Sequence, residues 1–220
     1  MKNDQNKIGI IVADENEIFE FPHFMKLKKI YKNSQFEVKK YKFNKKTIFL
    51  IHSGIGLINA AIATQYLIDN FKVRKIWNYG AVGSSIKNEI FDIVIPKKFY
   101  YHDVITPWYK RGQIPKEKEF YLNSLVLNNM KSNNIGSSNS FINSEKYFQE
   151  LQKDLDIDLI DMESTAIANV CNKNNIEFYC VKAVSDIVGK NLVSSQKINQ
   201  YISKAAKISF EKMLKLIDKN

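Results

Sequence analysis

Short apolar runs that stop on glycines or carboxylates, with helix-like sequence between them, constrain this chain most. Ile8 to Ala13 stops at Asp14-Glu15-Asn16, and Thr47 to His52 stops at Ser53-Gly54-Ile55-Gly56. Ile76 to Tyr79 runs into Gly80-Ala81-Val82-Gly83, Ile157 to Ile160 into Asp161-Met162-Glu163, and Phe178 to Val184 into Ser185-Asp186. Apolar runs of this kind suit strands covered on both faces. Ile58 to Ile68, Glu163 to Cys171 and Gln196 to Ile217 instead carry apolar residues at helical spacing. Strands separated by helices, with no composition break, polar linker or repeat, predict one α/β unit over residues 1–220.

The remaining segments fill in around that frame. Asp14-Glu15-Asn16 is expected to open a helix carrying Glu17, Ile18, Phe19 and Leu27, which Pro22 restarts or distorts. Phe36 to Phe43 alternates as a half-solvated strand, and Asn44-Lys45-Lys46 is a hairpin turn into the next strand. Gly80 to Gly83 is expected to break the strand before it, and Asp92 to Pro96 forms a further strand. From Phe99 to Lys118 no period holds, which predicts a long functional loop. Glu119 to Asn129 reads as helix, Asn134 to Ile142 as a strand with a turn, and Ser144 as the cap of a short helix.

Composition excludes several functions. The net charge of +10 comes almost wholly from dispersed lysines, since Arg74 and Arg111 are the only arginines. Base-reading surfaces recruit arginine and gather charge on one face, so no specific nucleic-acid partner is expected. Cys171 and Cys180 are too few for a disulfide framework and read as reduced thiols of a cytoplasmic protein. The opening residues are polar, and no apolar stretch is long enough to span a bilayer. Ser53-Gly54-Ile55-Gly56 lacks the lysine of a phosphate-binding loop, and His23, His52 and His102 are too scattered to suggest a metal.

Open α/β sheets bind ligands at the carboxyl ends of their strands, where Glu163 and Asp186 stand. Taken as residues alone, each keeps two readings. Glu163 either contacts a ligand or offsets a helix dipole, and Asp186 either does chemistry or caps a helix. Glu17 is either a base or an exposed first-turn glutamate.

The ordered set Ile8-Gly9-Ile10-Ile11 with Glu17, Ser53-Gly54-Ile55-Gly56, Asn78-Tyr79-Gly80-Ala81-Val82-Gly83, Tyr101-His102-Asp103, Gly112-Gln113-Ile114-Pro115, Ser140-Phe141-Ile142, Asp161-Met162-Glu163-Ser164-Thr165-Ala166 and Val184-Ser185-Asp186 decides between them. With this set the chain resembles the 5′-methylthioadenosine/S-adenosylhomocysteine nucleosidases of the nucleoside phosphorylase superfamily, nearly end to end. The resemblance implies a three-layer α/β sandwich with a central mixed sheet, working as a homodimer without a cofactor. It implies cleavage of the adenine N-glycosidic bond of 5′-methylthioadenosine, S-adenosylhomocysteine or 5′-deoxyadenosine by water.

By the same resemblance Asp186 protonates N7 of the adenine, Glu163 grips the ribose hydroxyls and Glu17 directs the water. Ser185 positions the base site, Phe141 and Met162 flank base and ribose, and Ile142 gives a backbone contact. Gly83 lets the backbone approach the sugar. Ile198 lies near a C-terminal lid, while Trp108, Tyr109, Ile114 and Pro115 cross a dimer interface to line the partner's alkylthio pocket. Four positions depart from the family pattern. Lys182 replaces an arginine near the water, Ala81 a serine, Asp14 a methionine, and Asn139 a charged residue. Asp14, Glu15 and Glu17 crowd the place where phosphorylases keep a phosphate-binding arginine, which favours water as acceptor. A purine nucleoside phosphorylase is the enzymatic alternative, and a non-catalytic nucleoside- or polyanion-binding protein the other.

Overall fold

The computed structural model describes residues 6–125, 133–190 and 195–219. In chain order the elements are β1 (Lys7–Val12), β2 (Lys26–Lys32), β3 (Glu37–Phe43), β4 (Lys46–His52), α1 (Leu57–Phe71), β5 (Lys75–Ser84), β6 (Ile93–Val94), β7 (Pro96–Tyr101) and β8 (Tyr121–Leu122). There follow β9 (Asn133–Ser137), α2 (Glu145–Asp154), β10 (Leu159–Asp161), α3 (Ser164–Lys173), β11 (Glu177–Ile187) and α4 (Ser195–Lys219).

The strands form one mixed sheet in the order β2-β3-β4-β1-β5-β10-β9-β7-β8, with β11 also on β5 and β6 on β11. β1 runs parallel to β4 and β5, and β5 parallel to β11, whereas β10 meets β5 antiparallel. Alternation along the central strands divides the core. Ile76, Phe178 and Cys180 face α1 and α3, packing with Ala63, Leu67, Ile167 and Cys171. Trp77, Tyr179 and Val181 face the other way, against Phe210, Met213 and Ile217 of α4. Neighbouring side chains thus enter opposite cores, which is why these strands are apolar at most positions, with buried Asn78 and Lys182 as exceptions. The expected three-layer sandwich around a mixed sheet is what the chain forms. Among the described residues no helix is long and apolar enough to cross a membrane.

Several local expectations are corrected. Asp14 to Leu27 is no helix: Asp14 and Glu17 close a capping box around the single 3-10 turn Glu15–Glu17, and Leu27 lies in β2. Pro22 has no N–H to carry a helix onward and instead accepts the Met25 N–H in a turn. β5 does not break at Gly80 but continues to Ser84, for a reason that belongs to the site. Phe99 to Tyr101, expected in a loop, extend β7. Tyr121 and Leu122, expected in a helix, pair with Phe99 and Lys98 as a strand. Positions 126–129 of that expected helix lie outside the described residues.

Candidate active site

Three carboxylates far apart in sequence reach one cavity at the carboxyl ends of β1, β5, β10 and β11. Its wall includes Asp14, Glu17, Ala81, Gly83, Phe141, Ile142, Met162, Glu163, Ser185 and Asp186. No lysine, arginine or histidine belongs to that wall among the described residues.

Glu17 is placed by the turn after β1. Its Oε1 accepts the Ala81 N–H at 2.7 Å and its Oε2 the Asp14 N–H at 3.4 Å. The Tyr79 hydroxyl donates to its carbonyl at 2.8 Å. Burial pushes the carboxyl above its ordinary value, while Lys182 and the two backbone donors pull the other way. Gly80 explains why β5 continues: a Cβ there would lie 2.7 Å from Glu17 Oε1. The carboxylate fills the space a side chain would need. Gly83 repeats the device, its missing Cβ lying 3.2 Å from Asp186 Oδ2.

Glu163 stands at the N-cap position of α3, and its Oε1 accepts the Gly56 N–H at the start of α1 at 2.8 Å. Asn139 takes the adjacent Leu57 N–H at 2.8 Å, so this departure from the family pattern serves as a helix cap. Burial first, and then the Asp161 charge, push the Glu163 carboxyl up to about 8.

Asp186 owes its place to a bulge. β11 and β5 stay in register through Val184 and Val82, and then Asp186, not Ser185, pairs with Gly83. An extra residue breaks the alternation, so consecutive Ser185 and Asp186 both line the cavity. The Ser185 hydroxyl donates to Asp186 Oδ1 at 2.6 Å. Burial still raises the Asp186 carboxyl above its ordinary value against that bond.

Behind the wall, buried Lys182 pairs with Asp161 at 3.2 Å. Burial opposes its charge, but Asp161, and then Cys180, Glu17 and Glu163, outweigh it and hold the ammonium firmly protonated. In Asp161 burial acts to raise the carboxyl, and Lys182 with the Ser137 and Ser164 hydroxyls overcomes it, leaving the group below its ordinary value.

Most of the residues singled out in the sequence meet here, but not all. Ile198 lines an adjoining cavity with Phe141, Ile142, Ser185 and Asp186, while Ile202, one helical turn on, reaches the main cavity. Ile202 carried no functional expectation, although its place beside Tyr201 in the apolar stripe of α4 is visible in the sequence. Asp161 stands within a family motif, yet its neighbour Glu163 drew the functional role. Trp108, Tyr109, Ile114 and Pro115 line neither cavity within one chain, and Trp108 is 84 % exposed.

Comparison with known proteins fixes the class first: residues 7–217 match the model of the Phosphorylase superfamily. The 5′-methylthioadenosine/S-adenosylhomocysteine nucleosidase of Buchnera aphidicola subsp. Acyrthosiphon pisum (strain Tuc7) is 36 % identical across 94 % of this chain and 99 % of that relative. That of Haemophilus influenzae (strain 86-028NP) is 32 % identical across 97 % of this chain and 99 % of its own. The crystal structure of the Neisseria meningitidis nucleosidase in complex with methylthio-immucillin-A superposes with a TM-score of 0.86 at 26 % identity, covering 97 % of this chain and 99 % of that one. The chain belongs to the Phosphorylase superfamily and, within it, to the 5′-methylthioadenosine/S-adenosylhomocysteine nucleosidases.

Proposed function

We propose that this protein hydrolyses the adenine N-glycosidic bond of 5′-methylthioadenosine and S-adenosylhomocysteine, with 5′-deoxyadenosine as a further substrate, releasing adenine. The observation that carries the reading is the meeting of Glu17, Glu163 and Asp186 around one cavity. Asp186, with its raised proton affinity, donates to N7 as the purine departs. Glu163 accepts from the ribose hydroxyls, bonds that strengthen as the sugar gains positive charge. Glu17, oriented by the Ala81 and Asp14 N–H groups, takes the proton of the attacking water. Phe141, half of it exposed at the cavity mouth, offers a face to the base, with Met162 and Ile142 beside it.

Water is the acceptor. A phosphate dianion would meet Asp14 and Glu17 on a wall to which no described cation belongs, and Lys182 is committed to Asp161. Purified protein given 5′-methylthioadenosine in phosphate-free buffer releases adenine. Release that requires phosphate and yields a ribose 1-phosphate would falsify the hydrolase reading. The same proposal places the enzyme in the cytoplasm, in methionine salvage, as a homodimer whose 102–120 loop completes the partner's pocket with Trp108, Tyr109, Ile114 and Pro115. Two unpaired, buried cysteines support the compartment.

A further inference from the structure

Glu163 occupies a helix N-cap, yet its side chain makes no capping bond. A carboxylate at that position ordinarily accepts an N–H from the first turn. Here Asp161, two residues earlier, does so instead. Its Oδ1 accepts the Glu163 N–H at 3.3 Å and the Ser164 N–H at 3.2 Å. The same carboxylate receives the Ser137 hydroxyl at 2.6 Å, the Ser164 hydroxyl, and the Lys182 ammonium at 3.2 Å. Its side chain is 4 % exposed. Asp161 is thus a saturated anion with no capacity left for a ligand, although it borders the cavity.

We infer that Asp161 is a positioning residue: by capping α3 and holding Lys182 it releases the Glu163 carboxylate to the sugar and governs its ionisation. The inference rests on the reading of Glu163 as the ribose ligand. Without the Asp161 cap, the freed N–H groups of α3 can draw on Glu163 at the N-cap, which would turn it from the cavity to its own helix. The charged groups facing Glu163 are Asp161 beside it, Lys182 from β11 and Glu17 from the turn after β1. Asp14 and Asp186 share its cavity. Neutralising Asp161 removes a repulsion and frees the Lys182 charge, and both changes make Glu163 the stronger acid.

The test uses the full chain with 5′-methylthioadenosine in phosphate-free buffer, with kcat and KM measured separately from about pH 6 to about pH 9. In D161N, whose amide oxygen still accepts the α3 N–H groups, the acid limb of kcat/KM moves down by roughly one pH unit, and in D161A, which also removes the cap, KM rises about tenfold or more. D161E, which keeps the charge, returns that limb toward the wild-type position. A purely architectural role would lower the yield of folded enzyme or kcat and leave the limb in place. Should either variant fail to fold, S164A deletes a single donor to Asp161 and raises KM about two- to fivefold with kcat retained. A folded D161N with an unmoved limb overturns the inference, as does a folded D161A with wild-type KM, or S164A with unchanged KM where either does not fold. A wild-type enzyme that releases no adenine overturns the functional reading first and takes this inference with it.

Discussion

Glu163 is given two demands that conflict. To hold a sugar that becomes positive it must be ionised, yet it is buried beside Asp161. Its proton affinity is raised from 4.5 to about 8, so the stability linked to this group is full below pH 4.5 and is lost as pH rises through about 8. Glu163→Gln removes that loss. Its thermal midpoint therefore exceeds that of the wild type at pH 9 but not at pH 5, by about 2–4 °C for each kcal/mol recovered. With 5′-methylthioadenosine its kcat/KM falls about 10²-fold or more, because an amide must spend one end as a donor. A midpoint gain that is the same at both pH values would contradict the assigned burial effect. Asp186→Asn tests the other end of the reaction. Losing a general acid lowers kcat by about 10²–10⁴-fold while KM changes little. The loss shrinks for a nucleoside whose leaving base needs no protonation, and an equal loss for both substrates would argue against proton donation.

At the scale of elements, the long apolar runs were legible because burial on both faces leaves few polar positions to confuse them. β1 and β4 were read to within a residue at each end and α4 to within two, whereas α1 and β11 run three residues past their expected ends. The failures have local causes. Gly80 and Gly83 read as breakers, since nothing in a sequence says that a carboxylate from elsewhere will fill the space of the missing Cβ. Asp14 and Glu17 gave a true helix-start signal for a turn that ends at once, with Ile18 already extended. The bulge at Ser185 was likewise invisible, because an extra residue shows only in the register against the partner strand. The three carboxylates were found through family motifs, and Asp161 drew no attention because its work is done on Glu163 rather than on a ligand. Gly80→Ala puts this account at risk. Gly80 has φ +150°, and its new methyl would press on Glu17 at 2.7 Å. The variant folds with a lower thermal midpoint and loses about tenfold or more in kcat as Glu17 is displaced. An Ala variant with wild-type kcat would show that the Glu17 position is not critical.

The whole molecule presents an apolar surface that one copy leaves open. On α1, Ile58 and Ile62 stand one helical turn apart and are both exposed, and Ile55 just before them borders the cavity. Across the 102–120 loop Ile105 and Trp108 are exposed as well. Exposed isoleucines on the helix that follows Ile55 of the cavity wall are better accounted for by a partner than by solvent. The proposed homodimer uses this surface, with α1 as the contact and the loop carrying Trp108 and Tyr109 to the neighbouring cavity. Such an arrangement couples assembly to substrate affinity but not to bond cleavage, since Glu17, Glu163 and Asp186 come from one chain. Replacing Ile58 and Ile62 together with aspartate puts charge into the contact without touching the carboxylates. The double variant sediments as a monomer where the wild type sediments as a dimer. With 5′-methylthioadenosine its KM rises about tenfold or more, because the alkylthio group loses its apolar wall, while kcat at saturation falls less. With 5′-deoxyadenosine, which has no such group, the rise in KM is smaller. A monomeric variant with unchanged KM for both nucleosides would confine the pocket to a single chain, and a variant that stays dimeric would move the interface off α1.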